Sequence, residues 1–180
     1  MIRTIRSAAV VGVLALAGGS AAAMVQADPD LPRAPSAGSP ASEWPGPTLC
    51  ESGENVLWSC SIKGGKTISV CASRRISATE GYIQYRMGKP GKLELAYPAS
   101  RVHPRGRFEY RLYIQGNTSL SFRNGGYEYS LVDDLRSADD EVLVDKDGKL
   151  VSRIVCNSGG TGFEIVRPDL LGISESPYGN

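Results

Sequence analysis

Hydrophobic and polar residues alternate with a period of two along most of the chain between positions 49 and 156. Successive side chains of a β-strand point to opposite faces of a sheet, so this period is typical of strands that bury one face. The clearest example runs from Phe108 to Ile114, where apolar residues alternate with Glu109, Arg111 and Tyr113. No segment sustains the i, i+3, i+4 spacing of an amphipathic helix. The pattern therefore predicts an all-β domain.

Turn signals divide this pattern into short strands. Gly64-Gly65, the sequence GKPG at 88–91 and Asp147-Gly148 each separate two alternating stretches. We count about eight or nine strands, and short strands joined by tight turns predict an antiparallel meander that forms a small barrel or sandwich. In the hairpin around 88–91, Ile83, Tyr85 and Met87 are expected to share one face of their strand. Leu93, Leu95 and Tyr97 are expected to share one face of theirs.

The strongest turn signal is Asn124-Gly125, because Asn-Gly favours the type I′ turn of two-residue hairpins. A loop of these two residues would place Phe122 opposite Tyr127 and Leu120 opposite Tyr129. The sequence therefore predicts two aromatic cross-strand contacts in this hairpin.

The first 27 residues have the three parts of a secretory signal. Arg3 and Arg6 form a positive start, the apolar run AAVVGVLALA covers residues 8–17, and small residues lead to a cleavage site after Ala27 or, as second choice, Ala23. The apolar run is shorter than the ~20 residues that a membrane-spanning helix needs. We therefore expect a periplasmic or secreted protein with no stable membrane insertion once the signal is cleaved.

Residues 28–48 follow the signal and contain six prolines between positions 28 and 47. Proline lacks an amide donor and fixes φ, so this stretch is predicted to be an extended flexible linker. Trp44 either docks on the following domain or stays exposed. The β domain is expected over 49–156, and the Gly-, Ser- and Pro-rich tail 157–180 either covers a sheet edge or lacks fixed structure.

The mature chain is nearly neutral. Removal of residues 1–27 takes away two of the 20 basic residues and none of the 19 acidic residues, which leaves 18 against 19. A near-neutral exported chain offers no electrostatic attraction for nucleic acid, so we expect no such partner.

All four cysteines, Cys50, Cys60, Cys71 and Cys156, follow the signal, and in an oxidising compartment they are predicted to form two disulfides. A two-residue loop at Gly64-Gly65 would place Cys60 and Cys71 diagonally, about 7–8 Å apart, beyond the usual 4.4–6.8 Å between bridged Cα atoms. A Cys60–Cys71 bridge is therefore disfavoured unless the loop has four residues, and two connectivities are favoured: Cys50–Cys60 with Cys71–Cys156, or Cys50–Cys71 with Cys60–Cys156.

Catalytic and metal-binding signals are weak. The chain has one histidine, His103, and contains neither a Cys-x-x-Cys pair nor a Gly-x-Ser-x-Gly elbow. We therefore expect no catalytic residues, no metal and no cofactor. The alternative enzymatic hypothesis uses Asp139 and Asp140 as paired carboxylates.

Two surface features are candidates for binding. The first consists of two turns on either side of one short strand, which could enter the cleft of a partner protein through Ser77, Glu80, Tyr82, Lys89 and Lys92. The second is a basic run that could hold an anionic polysaccharide through Arg101, His103, Arg105 and Arg107.

Several motifs resemble an uncharacterised group of small exported, disulfide-bearing bacterial β proteins. These motifs are LWSC at 57–60, GKTISVCAS at 65–73, YIQYRMG at 82–88 and SFRNGGYEY at 121–129. No activity follows from this likeness.

The layout also resembles, more distantly, the periplasmic lysozyme inhibitors. These are small exported β-barrels in which a Ser-Ala-Ser-Gly-x-x-Tyr loop and a Lys-Gly turn enter the lysozyme cleft. Here Ser77-Ala78 is followed by Gly81-Tyr82, and Lys89 is followed by Pro90. This resemblance implies a non-enzymatic binding module of the cell envelope, an inhibitor or immunity-type partner of an exported hydrolase. The alternatives are a binder of anionic envelope polymer and an enzyme that uses Asp139 and Asp140.

Overall fold

The computed structural model describes residues 39–113, 116–133, 140–157 and 168–179. These residues form an all-β structure. Its strands are β1 (Ser39–Pro40), β2 (Glu54–Ile62), β3 (Lys66–Ser73), β4 (Ile83–Lys89), β5 (Lys92–Tyr97), β6 (Glu109–Tyr113), β7 (Thr118–Asn124), β8 (Tyr127–Asp133), β9 (Glu141–Lys146), β10 (Lys149–Val155) and β11 (Ser174–Gly179). One 3-10 turn, Pro168–Leu171, precedes β11.

The strands form two sheets, with the orders β1-β2-β3-β4-β5 and β10-β9-β8-β7-β6-β11. Consecutive strands from β2 to β5 and from β6 to β10 are antiparallel neighbours, so the predicted meander of eight or nine strands is confirmed for this part of the chain, with nine strands. The chain passes from one sheet to the other between β5 and β6. No strand pairing joins the two sheets within the described ranges, so the architecture is a sandwich and not a closed barrel.

The core lies between the two sheets and contains alternate side chains of both. Fully buried members include Trp58, Ile68, Val70, Ile83, Tyr85, Leu120, Leu131 and Val142. Phe122 stacks on Tyr97 of the first sheet, with ring centroids 4.4 Å apart, and on its neighbour Tyr129 at 4.8 Å. Aromatic pairs contribute about 0.5–1.5 kcal/mol beyond the burial of their area. This stack therefore helps to hold the two sheets together.

The predicted Asn124-Gly125 turn is wrong by one position. The turn residues are Gly125 and Gly126, with φ of 58° and 81°, so Phe122 lies opposite Tyr129 and not Tyr127. Both turn positions need a positive φ, and glycine adopts it without the steric cost that asparagine incurs. The cross-strand partner of each residue therefore differs from the predicted one by two positions. Each side chain still points to its predicted face of the sheet.

The first hairpin also differs from its prediction, because its loop has three residues. Ile62 pairs with Lys66, and Cys60 lies opposite Ile68. The disulfides are Cys50–Cys71 and Cys60–Cys156, with Cα atoms 5.3 and 5.7 Å apart. The predicted pair of disulfides is confirmed, and the connectivity is one of the two that the sequence left open.

The Cys60–Cys156 disulfide joins β2 of the first sheet to the residue that follows β10 of the second. It closes a chain segment with a sequence separation of 96 residues. In the chain-entropy account, a loop of this length stabilises the fold by roughly 4–5 kcal/mol. Two disulfides fit an oxidising compartment outside the cytoplasm.

A β-bulge at Glu94 changes the predicted face of Leu93. Met87 pairs with Leu95, but Gly88 pairs with Leu93, so Glu94 has no partner. Leu95 packs against the core, whereas Leu93 is 48% exposed. Glycine is required at 88, because a Cβ there would lie 2.5 Å from the backbone oxygen of Lys92.

Both ends of the described chain contact the sandwich. Residues 39 and 40, within the predicted linker, pair with the edge of β2, and Trp44 is buried. Near the other end, β11 pairs parallel to β6 and covers that edge of the second sheet. The signal and residues 28–38 lie outside the described residues. Across those residues that are described, we find no helix with the length and apolar character needed to cross a membrane.

Candidate binding surface

A buried ion pair lies on the outer face of the first sheet. Gln84 and Arg86 point to this face because they alternate with the core residues Ile83 and Tyr85. The guanidinium of Arg86 donates two parallel hydrogen bonds to the carboxylate of Glu54, Nη1 to Oε2 at 2.6 Å and Nη2 to Oε1 at 2.7 Å. Both side chains are almost fully buried, with 3% and 2% exposed. This bidentate geometry is the strongest arrangement of an arginine and a carboxylate.

Neighbouring groups form the remaining hydrogen bonds of this ion pair. Arg86 also donates from Nε to Gln84 Oε1 at 2.9 Å and from Nη1 to the backbone oxygen of Leu49 at 3.0 Å. Glu54 accepts further hydrogen bonds from the hydroxyl of Tyr82, at 2.6 Å, and from the backbone N–H of Glu51, at 2.7 Å. A buried charge pair is stable when its remaining donors and acceptors are also satisfied, as they are here.

The pKa values of Glu54 and of its neighbour Tyr82 are both shifted. Burial alone would raise the pKa of Glu54, but the hydrogen bonds from Arg86, Tyr82 and the backbone of Glu51, together with the charge of Arg86, hold it below its usual value. Burial, followed by the hydrogen bond to the Glu54 carboxylate, raises the pKa of Tyr82 to about 12. Glu54 is therefore an anion at neutral pH and Tyr82 a neutral hydrogen-bond donor.

Residues 44–51, which we call the covering segment, lie over this face of the sheet. The N–H of Leu49 donates to Ser69 Oγ at 2.9 Å, and Ser59 Oγ donates to the backbone oxygen of Pro47 at 2.8 Å. Cys50 is bonded to Cys71 of β3. The covering segment is thus attached to the first sheet by hydrogen bonds and by a disulfide. Arg86 adds a further hydrogen bond to the backbone oxygen of Leu49.

A cavity of about 500 Å³, which we call the outer cleft, opens between the covering segment and the β4–β5 hairpin. Its lining includes Leu49 and Glu51 of the covering segment and Leu93 of β5. Pro90 and Gly91 line it as well, as do Thr48, Cys50, Gln84, Arg86 and Arg101. Its volume lies within the range of ligand pockets, about 300–1,000 Å³. Because the bulge at Glu94 turns Leu93 outward, the cleft has an exposed apolar side chain among charged ones.

Arg101 borders this cleft and is held in place. Its guanidinium forms an ion pair with Glu51 and lies 3.9 Å from Glu54 Oε1. It also lies over the ring of Tyr82, 5.4 Å from the centroid. Its side chain remains 43% exposed, so Arg101 presents a positioned positive charge to solvent.

Two loops that the sequence placed in separate candidate sites pack against each other. His103 Nε2 lies 3.2 Å from the backbone oxygen of Ser77, and Nδ1 lies 3.3 Å from the backbone nitrogen of Arg105. Arg105 Nη2 donates to the backbone oxygen of Ala78 at 2.8 Å. The imidazole also lies against Gly172, where a Cβ would be 2.4 Å from His103 Cε1. His103 Nε2 and the guanidinium of Arg105 therefore join the two loops, whereas the contact of His103 Nδ1 lies within its own loop.

The five residues of the first predicted site do not form one protrusion. Ser77, Glu80 and Tyr82 precede β4, whereas Lys89 and Lys92 face each other at its far end. Lys89 follows Tyr82 by seven positions of extended chain, which places them roughly 23 Å apart. The outer cleft lies between these ends, since it contacts Arg101 near Tyr82 and Pro90-Gly91 between the two lysines.

The side chains of the basic run have different surroundings. Arg101 borders the outer cleft, and Arg105 bonds to the neighbouring loop. Arg107 lines a second cavity, of about 480 Å³, together with Tyr97, Phe108 and residues of β6, β7 and β8. The predicted anion site is therefore divided among three places.

The Glu54–Arg86 pair was not predicted from the sequence. The motif 82–88 showed Gln84 and Arg86 on the polar face of a strand, but nothing in the alternation indicated that the covering segment buries this face. Asp140, the acid of the enzymatic alternative, is buried and accepts a hydrogen bond from Trp58 Nε1 at 3.1 Å. Asp139 lies outside the described residues.

Comparisons with known proteins give no match: no protein-family model fits the chain, and neither the curated proteins nor the solved structures contain a significant relative.

Proposed function

We propose that this protein is an exported, non-enzymatic binding module of the periplasm or cell exterior, whose outer cleft receives part of an envelope or extracellular protein. In the specific form of the proposal, the partner is an exported hydrolase and this chain is its inhibitor or immunity-type partner. The signal-like N-terminus and the oxidised cysteines support export.

The observation that carries the proposal is the preorganisation of the outer cleft. Its wall is attached by the Cys50–Cys71 disulfide, and Arg86 hydrogen-bonds both Glu54 and the backbone of Leu49. Arg101 is already oriented by Glu51 and Tyr82. Groups that are ordered before binding lose less conformational entropy on association, so more of the contact energy appears as affinity.

The surroundings of the titratable side chains favour a binding function over catalysis. Both ring nitrogens of His103 have partners, Nε2 in the neighbouring loop and Nδ1 in its own loop. Glu54 is fully hydrogen-bonded beside Arg86, and Asp140 accepts from Trp58. A general acid or base must reach a substrate proton with a group that is free to exchange it, and these three groups are occupied by protein contacts.

The alternative, an anionic polymer held by the basic run, has less support. Arg101, Arg105 and Arg107 have separate surroundings, and the charge of Arg101 is compensated by Glu51. The affinity for a polymer held by these exposed charges would fall steeply as the salt concentration rises. Binding of polygalacturonate that disappears between low and physiological salt would favour this alternative.

The hydrolase proposal is tested with the mature chain, residues 28–180, and a panel of purified lysozymes and peptidoglycan hydrolases. We expect inhibition of peptidoglycan cleavage by at least one enzyme, with loss of inhibition in Leu93→Glu. Leu150→Glu is the matched control, since Leu150 has similar exposure, 52% against 48%, but lies on the second sheet. If no enzyme is slowed or bound, the hydrolase form of the proposal is wrong.

A further inference from the structure

Three lysines lie side by side across the first sheet, at the end where the β4–β5 hairpin turns. Lys89 and Lys92 are direct cross-strand partners on either side of this turn. The ladder between β3 and β4 reaches Thr67 and Gly88, so Lys66 is the next residue of β3 beside Lys89. Neighbouring strands are about 4.8 Å apart. We call these three residues the lysine row.

The lysine row is unfavourable for the fold, because like charges directly opposite each other destabilise a sheet. Glu94 compensates one of these charges, since its Oε2 lies 2.7 Å from Lys66 Nζ. Lys89 and Lys92 are exposed, and within the described ranges their side chains have neither an ion pair nor a hydrogen bond. A local arrangement that lowers stability is expected where a surface serves a function.

The β9–β10 hairpin contains a comparable pair of lysines whose surroundings differ. Lys146 and Lys149 are also cross-strand partners on either side of a turn. That turn contains Asp147, and Asp145 precedes Lys146 in the chain. Lys146 Nζ also lies over the ring of Tyr127, 5.2 Å from the centroid. The turn in the lysine row contains proline and glycine instead, so its positive charge is not offset by an acidic residue in the turn.

A fourth lysine lies at the same end of the first sheet. Lys63 is exposed in the loop between β2 and β3, and this loop and the β4–β5 turn share one end of the sheet because the four strands are consecutive and antiparallel. This end therefore has four lysines together with Glu94, whereas the mature chain as a whole has one more acidic than basic residue. Such an uneven distribution of charge orients a protein in the field of an anionic partner.

We propose that the lysine row and Lys63 dock the mature protein on the anionic phospholipid surface of a membrane. These lysines lie at or beside turns that contain glycine and proline, where no bulky side chain stands between them and a flat surface. A lysine ammonium is a hydrated point charge on a flexible stem, which suits an array of phosphates better than a single anion in a fitted pocket. Basic clusters of this size are attracted to anionic lipid without insertion into the bilayer. The inference is independent of the partner proposed for the outer cleft.

The docking is tested by co-sedimentation of the mature chain with vesicles in about 0.1 M salt, where exposed charges are screened over about 10 Å. We expect binding to vesicles of equal parts phosphatidylglycerol and phosphatidylcholine and none to pure phosphatidylcholine. Each lysine near an anionic surface contributes about fivefold in affinity, so Lys89→Gln with Lys92→Gln is expected to weaken binding by roughly 25- to 30-fold. The matched control, Lys146→Gln with Lys149→Gln, removes the same charge from a hairpin of the second sheet and is expected to change binding by about twofold or less.

Three results would overturn the proposal. The first is a wild type that does not bind the anionic vesicles, and the second is an equal loss of binding in the two double variants. The third is binding of soluble polyphosphate as tightly, for each phosphate group, as binding of the vesicles, since the site would then belong to an anionic polymer. The Tm separates binding from folding: relief of the like-charge contact should leave the Tm of Lys89→Gln with Lys92→Gln unchanged or higher. A lower Tm would contradict the argument, because the two lysines would then stabilise the fold.

Discussion

Replacing Glu54 with glutamine should destabilise the protein more than most single substitutions do. The new side chain would keep the shape of the original but lose its charge, and it would direct an amide N–H₂ toward the donors of Arg86. Arg86 is 3% exposed and gives two of its four hydrogen bonds to this carboxylate. Removing one partner of a buried ion pair typically costs about 3–5 kcal/mol. This is a large part of the roughly 5–15 kcal/mol that ordinarily separates folded from unfolded domains.

The free energy of unfolding can be measured by urea titration with tryptophan fluorescence. Trp44 lies in the covering segment and Trp58 in the core, and both are buried, so the signal reports on both sides of the first sheet. The double variant Glu54→Leu with Arg86→Met removes both charges together. We expect it to be less destabilised than Glu54→Gln, because no unpaired charge stays buried. A cost below about 1 kcal/mol for Glu54→Gln would contradict a buried and satisfied pair.

Four further outcomes follow from the same contacts. Because the pKa of Glu54 is lowered in the folded state, its contribution to stability is complete above the ordinary pKa of 4.5 and is lost as pH falls through the lower folded value. Acid should therefore reduce the Tm of the wild type more than that of Glu54→Gln. Gly88→Ala should destabilise by more than the ~1 kcal/mol of a typical point substitution, measured in urea, because its Cβ would overlap backbone. Arg101→Ala should change stability by less than about 1 kcal/mol, since the pair is exposed, yet weaken partner binding in a titration. Replacing Cys50 and Cys71 together with serine should make the covering segment a site of limited proteolysis, and a cleavage pattern like that of the wild type would show that the disulfide is not needed to hold it.

The alternation of side chains predicted most of the sandwich, because burial on one face is a local property of each strand. Its two-residue period predicted eight or nine strands, and the structure has nine from β2 to β10. The choice between the two disulfide connectivities required the position of Cys156 relative to β2, which is a long-range property. The expectation that Cys60 and Cys71 are not bridged is confirmed, although the loop on which it rested has three residues and not two.

The errors arose where one residue decides the geometry. The Asn-Gly-Gly sequence offers two alternative turns, and the choice depends on which pair adopts positive φ. The bulge at Glu94 moved Leu93 from the expected core face to the outer cleft. Alternation also marks Arg86 as outward-facing, and an outward residue is ordinarily exposed. Arg86 is buried because the covering segment, residues 44–51, lies over it, and no pattern in the sequence around Arg86 indicates that contact.

The most direct test of the proposed function compares the mature wild type, Leu93→Glu and Leu150→Glu as inhibitors of purified peptidoglycan hydrolases and as immobilised ligands for them. We predict that wild type and Leu150→Glu bind and inhibit the same enzyme and that Leu93→Glu does neither, because Leu93 lines the outer cleft and Leu150 does not. Equal binding by all three proteins would contradict the assignment of the outer cleft as the partner site. The absence of binding to any enzyme by the wild type would contradict the hydrolase proposal itself.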